Sequence, residues 1–321
     1  MVTHLAAVSL AKGEPFELQT RPTPKPGPGE LLIEVKSISL NPADGIMRDQ
    51  GLFIPAYPTV IGFDIAGLVL EAGDNVPIHP TNGGGGQGPC FQPSVTRVAA
   101  YAAAVWKSCD LDYGAFPGAV SCLLAALLAS SRRYLLTKEE APLIWGASSS
   151  VGTMGVQSAR LLRDDQGSSF VAVYATTRAA NQKYIASLGA DRVFDYKDPQ
   201  VIDAIVSAAR ENGLVIRHCF LTTGQLASCQ AVLKAFVGDG HGGEELEAKI
   251  GLAPPSMEEE EWLGQFQYWL GSWPLEKLAN GIIRPNPEPK AVGKGPGAIN
   301  DGLDELTRGV SCSKLVVEVA E

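Results

Sequence analysis

Leu143-Ile144-Trp145-Gly146-Ala147-Ser148-Ser149-Ser150-Val151-Gly152-Thr153-Met154-Gly155 is the stretch on which the reading turns. Pro142 to Gly146 is a short apolar run suited to a buried strand, and Val151 to Leu162 carries apolar residues at helical spacing. Between them lies a turn of small residues. Such a turn lets backbone N–H groups at the start of a helix approach a pyrophosphate closely, and the hydroxyls of Ser148 to Ser150 add donors. A glycine pattern alone says little. Set between a strand and a helix it says more, against the plain alternative of a tight turn that binds nothing. Gly146, Ser149, Ser150, Val151 and Gly152 are thus candidate dinucleotide-binding residues.

Downstream the same rhythm repeats. Phe170 to Ala175 reads as a strand, Asn181 to Leu188 as a helix closed by Gly189, and Arg192 to Phe194 as a strand. Val201 to Arg210 reads as a helix and Leu214 to Leu221 as a further strand. Repeated β-α-β predicts an α/β fold with a doubly wound parallel sheet. The second strand is expected to end at Tyr174-Ala175 and to be followed by Thr176, Thr177 and Arg178, where an NAD site places an acid for the ribose hydroxyls. A cation with two hydroxyls suits a 2′-phosphate instead. NADPH is therefore expected rather than NADH, held by Thr177, Arg178 and Lys183; the plain alternative for Arg178 is an exposed loop arginine.

Upstream the chain reads as strands and turns. Glu30 to Lys36 is strand-like, and the prolines and glycines from Pro22 to Gly29 exclude helix before it. Val60 to Glu71 is a second such run, whose Gly62 and Gly67 mark a bulge or a close backbone approach. Thr81 to Gln92, Gly238 to Glu247 and Pro285 to Pro296 read as solvated connectors. The helix carrying Trp262, Phe266 and Trp269 reads as packed core, and Lys314 to Val319 as a closing strand.

Composition narrows the partners. With 26 Lys+Arg against 35 Asp+Glu and a net charge of -9, the chain has no basic surplus for a nucleic acid backbone. The longest apolar stretch, Ala115 to Ala129, is broken by Pro117 and Gly118 and falls short of the roughly 20 residues of a membrane span. The N-terminus lacks a basic segment followed by an apolar one, and the six cysteines are scattered, so a cytoplasmic protein with reduced thiols and no structural metal is expected.

Several segments together resemble the medium-chain dehydrogenase/reductase superfamily. They are Asn41-Pro42-Ala43-Asp44, Gly62-Phe63-Asp64-Ile65-Ala66-Gly67, the serine-rich turn, Ser187 to Asp191 with Asp195-Tyr196, and the closing run from Gly302 through Ser313-Lys314-Leu315-Val316-Val317. The turn itself is most similar to a fungal branch that includes trans-acting enoyl reductases of polyketide pathways. The resemblance implies a Rossmann domain over 121–279 and a β-rich, GroES-like catalytic domain over 1–120 and 280–321. Zinc-dependent members carry a Cys near the place of Asn41 and Gly-His-Glu where this chain has Gly62-Phe63-Asp64, so the resemblance is to zinc-free members, and no metal is expected.

The implied activity is hydride transfer from NADPH to an activated C=C of a small-molecule or acyl-carrier-bound unsaturated substrate, with a polyketide synthase as a conceivable partner. Asn41 would then lie on the nicotinamide side. Relatives often place a Lys or Tyr just after Asn-Pro-x-Asp, whereas Gly45, Ile46 and Met47 follow here, so Tyr57 becomes the candidate proton donor, against an exposed loop tyrosine. Cys122 falls where a threonine commonly touches the nicotinamide, against an inert packed cysteine. Tyr113 to Phe116 runs straight into Phe116 to Cys122, so a stretch joining the domains reads as deleted. These departures leave room for a second class, a non-redox isomerase or cyclase using the same cleft, and a third, a partner protein without turnover.

Overall fold

In chain order the elements are β1 (Thr3–Val8), β2 (Glu17–Pro22), β3 (Glu30–Ser39), α1 (Pro42–Gln50), β4 (Asp64–Ala72) and β5 (Ala103–Lys107). They are followed by β6 (Leu143–Trp145), α2 (Ser150–Arg163), β7 (Tyr174–Thr177), α3 (Gln182–Ser187), β8 (Arg192–Asp195), α4 (Val201–Glu211), β9 (Cys219–Leu221) and α5 (Leu226–Lys234). The last are β10 (Pro289–Lys294), α6 (Ile299–Arg308) and β11 (Lys314–Glu318). This computed structural model describes residues 2–28, 30–62, 64–74, 103–107, 140–164, 170–236, 277 and 280–319. The chain divides into two compact units, Met1–Ala115 with Pro289–Glu321, and Phe116–Glu288.

The first unit is β-rich. β1 and β2 form an antiparallel pair, and a second sheet runs β10-β11-β3-β4, with β5 also on β3. β3 turns Ile33, Val35 and Ile38 into a core shared with Met47, Ile65, Leu303, Leu315 and Val317. Gly67 is required by the sheet: a Cβ there would lie 2.0 Å from the Glu34 carbonyl oxygen, beside the register shift between Val35 and Ser37. The expected close approach is therefore met.

Two local expectations are corrected here. Pro285 to Pro296 is not merely a solvated connector, because β10 pairs in parallel with β11. The pairing is compatible with the proline, since Pro289 is the first residue of an edge strand and owes the ladder no N–H. The segment after Asn41 forms the helix α1, which begins with Pro42 and ends at Gly51 with φ 67°. Pro at the first position and Gly past the last are the ordinary boundary signals.

The second unit holds a parallel sheet ordered β8-β7-β6-β9. Successive residues of β6 serve opposite faces. Ile144 joins Val156, Ala159 and Ile185 from α2 and α3, while Leu143 and Trp145 join Ile205, Ala209 and Val232 from α4 and α5. Helices thus cover both faces of a doubly wound sheet. The chain order reverses at β6, and in such sheets the carboxyl ends of the strands at that reversal form a ligand crevice.

Among the described residues no helix is long and apolar enough to cross a membrane. Cys219 and Cys229 are free thiols. The Trp262 helix, the connectors Thr81 to Gln92 and Gly238 to Glu247, and the junction from Tyr113 to Cys122 lie outside the described residues.

Candidate functional site

The turn after β6 is held from three directions. Gly146 has φ 81°, and a Cβ there would come within 2.4 Å of the Thr223 methyl and 2.8 Å of its carbonyl oxygen, so only glycine fits. Its N–H donates to the Thr176 hydroxyl at 3.1 Å, and its carbonyl accepts from the hydroxyls of Thr222 at 2.7 Å and Ser149 at 2.9 Å. Ser149 is the N-cap of α2, its Oγ accepting the Gly152 N–H at 3.0 Å. A Cβ on Gly152 would lie 2.5 Å from the Gly146 oxygen.

Ser149 therefore shapes the turn with its side chain, and the groups left for a ligand are others. No described residue accepts from the N–H groups of Ser150 and Val151, as the geometry of a helix start dictates. The Ser148 hydroxyl is half-buried and has no described partner. The first turn of α2 holds no acid, and its last turn holds Arg160 and Arg163, so the positive end of the helix dipole is uncompensated. These are the requirements of an anion cradle for a pyrophosphate.

At the next strand the structure shifts the expected boundary. β7 runs through Thr177, so Thr176 and Thr177 are fully buried strand residues rather than loop hydroxyls. The paired carbonyls and the fit of branched side chains to a pleated strand carry it two residues further than the apolar pattern. Thr176 supports the Gly146 turn, and the Thr177 hydroxyl is buried without a partner. Arg178 stands exposed at the strand end, its Nε donating to the Tyr196 hydroxyl at 2.9 Å. Asp195 spends both carboxylate oxygens on backbone N–H groups, those of Ala179 and Lys197. Lys183 is exposed on α3 with no described partner.

In the first unit, Asn41 is the hub of a buried polar cluster. Its amide Nδ2 donates to Asp64 at 2.8 Å, its Oδ1 accepts from the Lys314 ammonium, and its backbone N–H donates to Asp44 at 2.8 Å. Lys314 Nζ also lies 3.7 Å from Asp64. Asp44 and Asp64 are 4% and 5% exposed, and one oxygen of each carboxylate has no partner. Burial raises the Asp44 carboxyl to about 6, helped by the Asp64 charge and opposed by the Asn41 N–H and by Lys314. Burial also lowers Lys314 from its ordinary value, with Asp64 and Asp44 pulling the other way.

Tyr57 is not part of this cluster. Its buried hydroxyl lacks a partner and packs at Gly51, beyond the last turn of α1, whereas Asn41 caps the first. The length of the helix sets the two about 15 Å apart. Arg48 braces α1 against α6 through Asp304 at 2.7 Å and pairs with its neighbour Asp49. Cys122 and Phe63 lie outside the described residues. Sequence reasoning passed over Asp64, Lys314 and Thr222. Asn41 as N-cap, with Asp44 at the third helical position, is a capping signal that announces the helix, whereas nothing local announces Lys314.

Comparison with known proteins agrees with this architecture. Residues 27–83 match the alcohol dehydrogenase GroES-like domain. The trans-enoyl reductase tndF of Aspergillus flavipes is 33% identical over 365 positions, which cover 98% of this chain and 98% of that protein. The chain belongs to the medium-chain dehydrogenase/reductase superfamily, in its fungal trans-enoyl reductase branch. It is an oxidoreductase, and a second member of the branch, the trans-enoyl reductase tazE of Aspergillus terreus, is 37% identical over 74% of this chain and 83% of its own length. The alignment with the first relative has more positions than the 321 residues here, so this branch member carries internal gaps against it. At the level of fold alone, the crystal structure of AibC superposes with a TM-score of 0.66 at 20% identity, covering 99% of this chain and 96% of its own. Benzyl alcohol dehydrogenase from Acinetobacter calcoaceticus does so with 0.65 at 17%, over the full length of both chains.

Proposed function

We propose that this chain is an NADPH-dependent, zinc-independent enoyl reductase that reduces the C=C of an α,β-unsaturated carbonyl compound in fungal secondary metabolism. The observation that carries the reading is the Gly146 turn, an anion cradle at a helix start, together with an arginine and no free acid at the end of β7. The relatives' names, trans-enoyl reductase, supply the reaction class. A bound reduced nicotinamide supplies the hydride. Ser150 and Val151 N–H would hold the pyrophosphate, with Gly146 and Gly152 giving access and Ser149 fixing the turn. Arg178, steadied by Tyr196, and Lys183 would face a 2′-phosphate, as two cations where an NAD site has an acid.

Zinc independence rests on the donor set. The Asn41 and Asp64 positions meet an ammonium, that of Lys314, and a cation already hydrogen-bonded to Asn41 competes with a metal for the same oxygens. Among the described residues no three His, Cys, Asp or Glu side chains gather to bind a metal. The substrate is either a free small molecule or a thioester on an acyl carrier, the latter bringing a polyketide synthase as partner, and the place of action is the cytoplasm. The test is NADPH oxidation by the purified protein, in the presence of a chelator, with crotonyl-N-acetylcysteamine thioester as the unsaturated probe. Saturated thioester formed in step with NADPH consumed supports the reading. Conversion of the probe without NADPH loss favours the non-redox class.

A further inference from the structure

The second unit has a recess of about 260 Å³ lined by Gln157, Arg160, Ser187, Leu188, Ile282 and Arg284. α2 starts at the Gly146 turn and runs back along the sheet, so Arg160, in its last turn, lies about 15 Å along the helix from Ser150. Ser187 closes α3, and Leu188 follows it ahead of β8, which begins at Arg192. The recess is therefore at the amino ends of the strands, whereas the dinucleotide crevice is at their carboxyl ends. Arg284 is set there by its backbone. The buried Gln157 side chain accepts the Arg284 N–H at 2.8 Å and donates to its carbonyl at 3.0 Å, and Asn286 donates to the same carbonyl at 2.7 Å. The Arg284 guanidinium, by contrast, is exposed and has no described partner. Arg160 donates to the Ile282 carbonyl at 2.7 Å, and its Nε is buried without a partner. A cation in the last turn of a helix answers the dipole, which accounts for Arg160 but not for Arg284, a residue of another segment. In a chain of net charge -9, no described carboxylate pairs with either arginine.

The geometry points to a second ligand site in this recess, which takes a phosphate dianion between Arg160 and Arg284. Two guanidiniums match a group that carries about -1.5 to -2 charges at pH 7, whereas a single carboxylate leaves one of them unanswered. Each offers a planar fork of N–H donors that phosphate oxygens accept in pairs. Ser187 contributes shape rather than a donor, since its hydroxyl donates to the Tyr184 carbonyl at 2.7 Å. The volume of about 260 Å³ is below the roughly 300 Å³ at which pockets for whole small molecules begin, so the recess takes the phosphate with at most a short tail. Leu188 and Ile282 give such a tail an aliphatic wall. Lys183 stands one helical turn before Ser187 and does not line the recess, so the site is separate from the 2′-phosphate contact proposed for Arg178 and Lys183. The inference does not rest on the reductase reading, because every residue in it belongs to one unit and none needs a dinucleotide in place.

Isothermal titration calorimetry with inorganic phosphate and with ethyl phosphate, on protein saturated with NADPH to fill the Gly146 turn, tests this. One phosphate should bind with a Kd of about 1 mM or tighter at low ionic strength. Arg284→Ala should weaken that binding at least about tenfold and unfold at the wild-type denaturant midpoint, because the side chain has no described bond to lose. Arg160→Ala should weaken it to a similar degree. Tighter binding of ethyl phosphate than of inorganic phosphate assigns the site to an organic monoester, and equal or weaker binding assigns it to free phosphate; both support the inference. It is overturned if NADPH-saturated protein binds neither probe, or if Arg284→Ala binds both within about twofold of wild type. Protein that binds no NADPH refutes the cofactor reading alone, and the dependence on Arg284 is then read, with the same two outcomes, on the dinucleotide-free chain.

Discussion

Asp44→Asn should change the pH dependence of stability in a direction set by burial. Asp44 is 4% exposed, and its carboxyl is raised from 3.8 to about 6, chiefly by burial. Between about pH 4 and pH 6 the folded protein therefore holds a proton there that the unfolded chain releases. The stabilisation this gives is complete below the unfolded value and is lost as pH rises through about 6. A move from 3.8 to about 6 amounts to ~3 kcal/mol at 1.36 kcal/mol per unit. Asparagine keeps an oxygen to accept the Asn41 N–H and carries no charge to desolvate. Urea unfolding of wild type and variant between about pH 4 and pH 7 measures the difference. The variant should gain on wild type by about 3 kcal/mol across that range, most of it between pH 4 and pH 6. A difference constant to within about 0.5 kcal/mol refutes the argument that the ionised carboxylate is held at a cost.

Other sites make opposite or independent demands. Glu140, 3% exposed, is drawn below its ordinary value; burial alone would raise it, but the His218 and Arg217 partners outweigh that. Its stability contribution is present above the unfolded value and lost as pH falls, so Glu140→Gln should cost roughly 3 kcal/mol at neutral pH and progressively less toward pH 3, read by urea unfolding. Gly152→Ala should destabilise by about 1–2 kcal/mol, because overpacking against the Gly146 backbone outweighs the helix propensity gained, and should weaken NADPH binding about tenfold or more in the same preparation. Thr222→Val should cost about 1–2 kcal/mol in the same assay by leaving the Gly146 and Ser149 hydrogen bonds unmade.

What the sequence disclosed was what lies close together along it. The strand, turn and helix around Gly146 are contiguous, and two of the demands for small residues are local, the φ of 81° at Gly146 and the approach of Gly152 to the Gly146 carbonyl, so pattern and structure agree. The end of β7 was misjudged because Thr176 and Thr177 look like loop hydroxyls, whereas the sheet buries them. β10 was hidden by prolines that an edge strand tolerates. Lys314 meets Asn41 across 273 residues of chain, and only the pairing of β11 with β3 brings them together. No local pattern encodes such a contact. Asn41 was singled out by resemblance, and the structure shows what its amide does, joining a carboxylate to an ammonium.

The central claim is that a phosphorylated nicotinamide dinucleotide sits on the Gly146 turn with Arg178 at its 2′-phosphate. Titration of the purified protein with NADPH and, separately, NADH, followed by reduced-nicotinamide fluorescence, tests it most directly when repeated on Arg178→Ala. NADPH should bind wild type about 10- to 100-fold more tightly than NADH, and the variant should lose that preference while its NADH affinity stays the same. Failure of both nucleotides to bind a folded sample, or a preference for NADPH that survives the loss of Arg178 undiminished, would contradict the account.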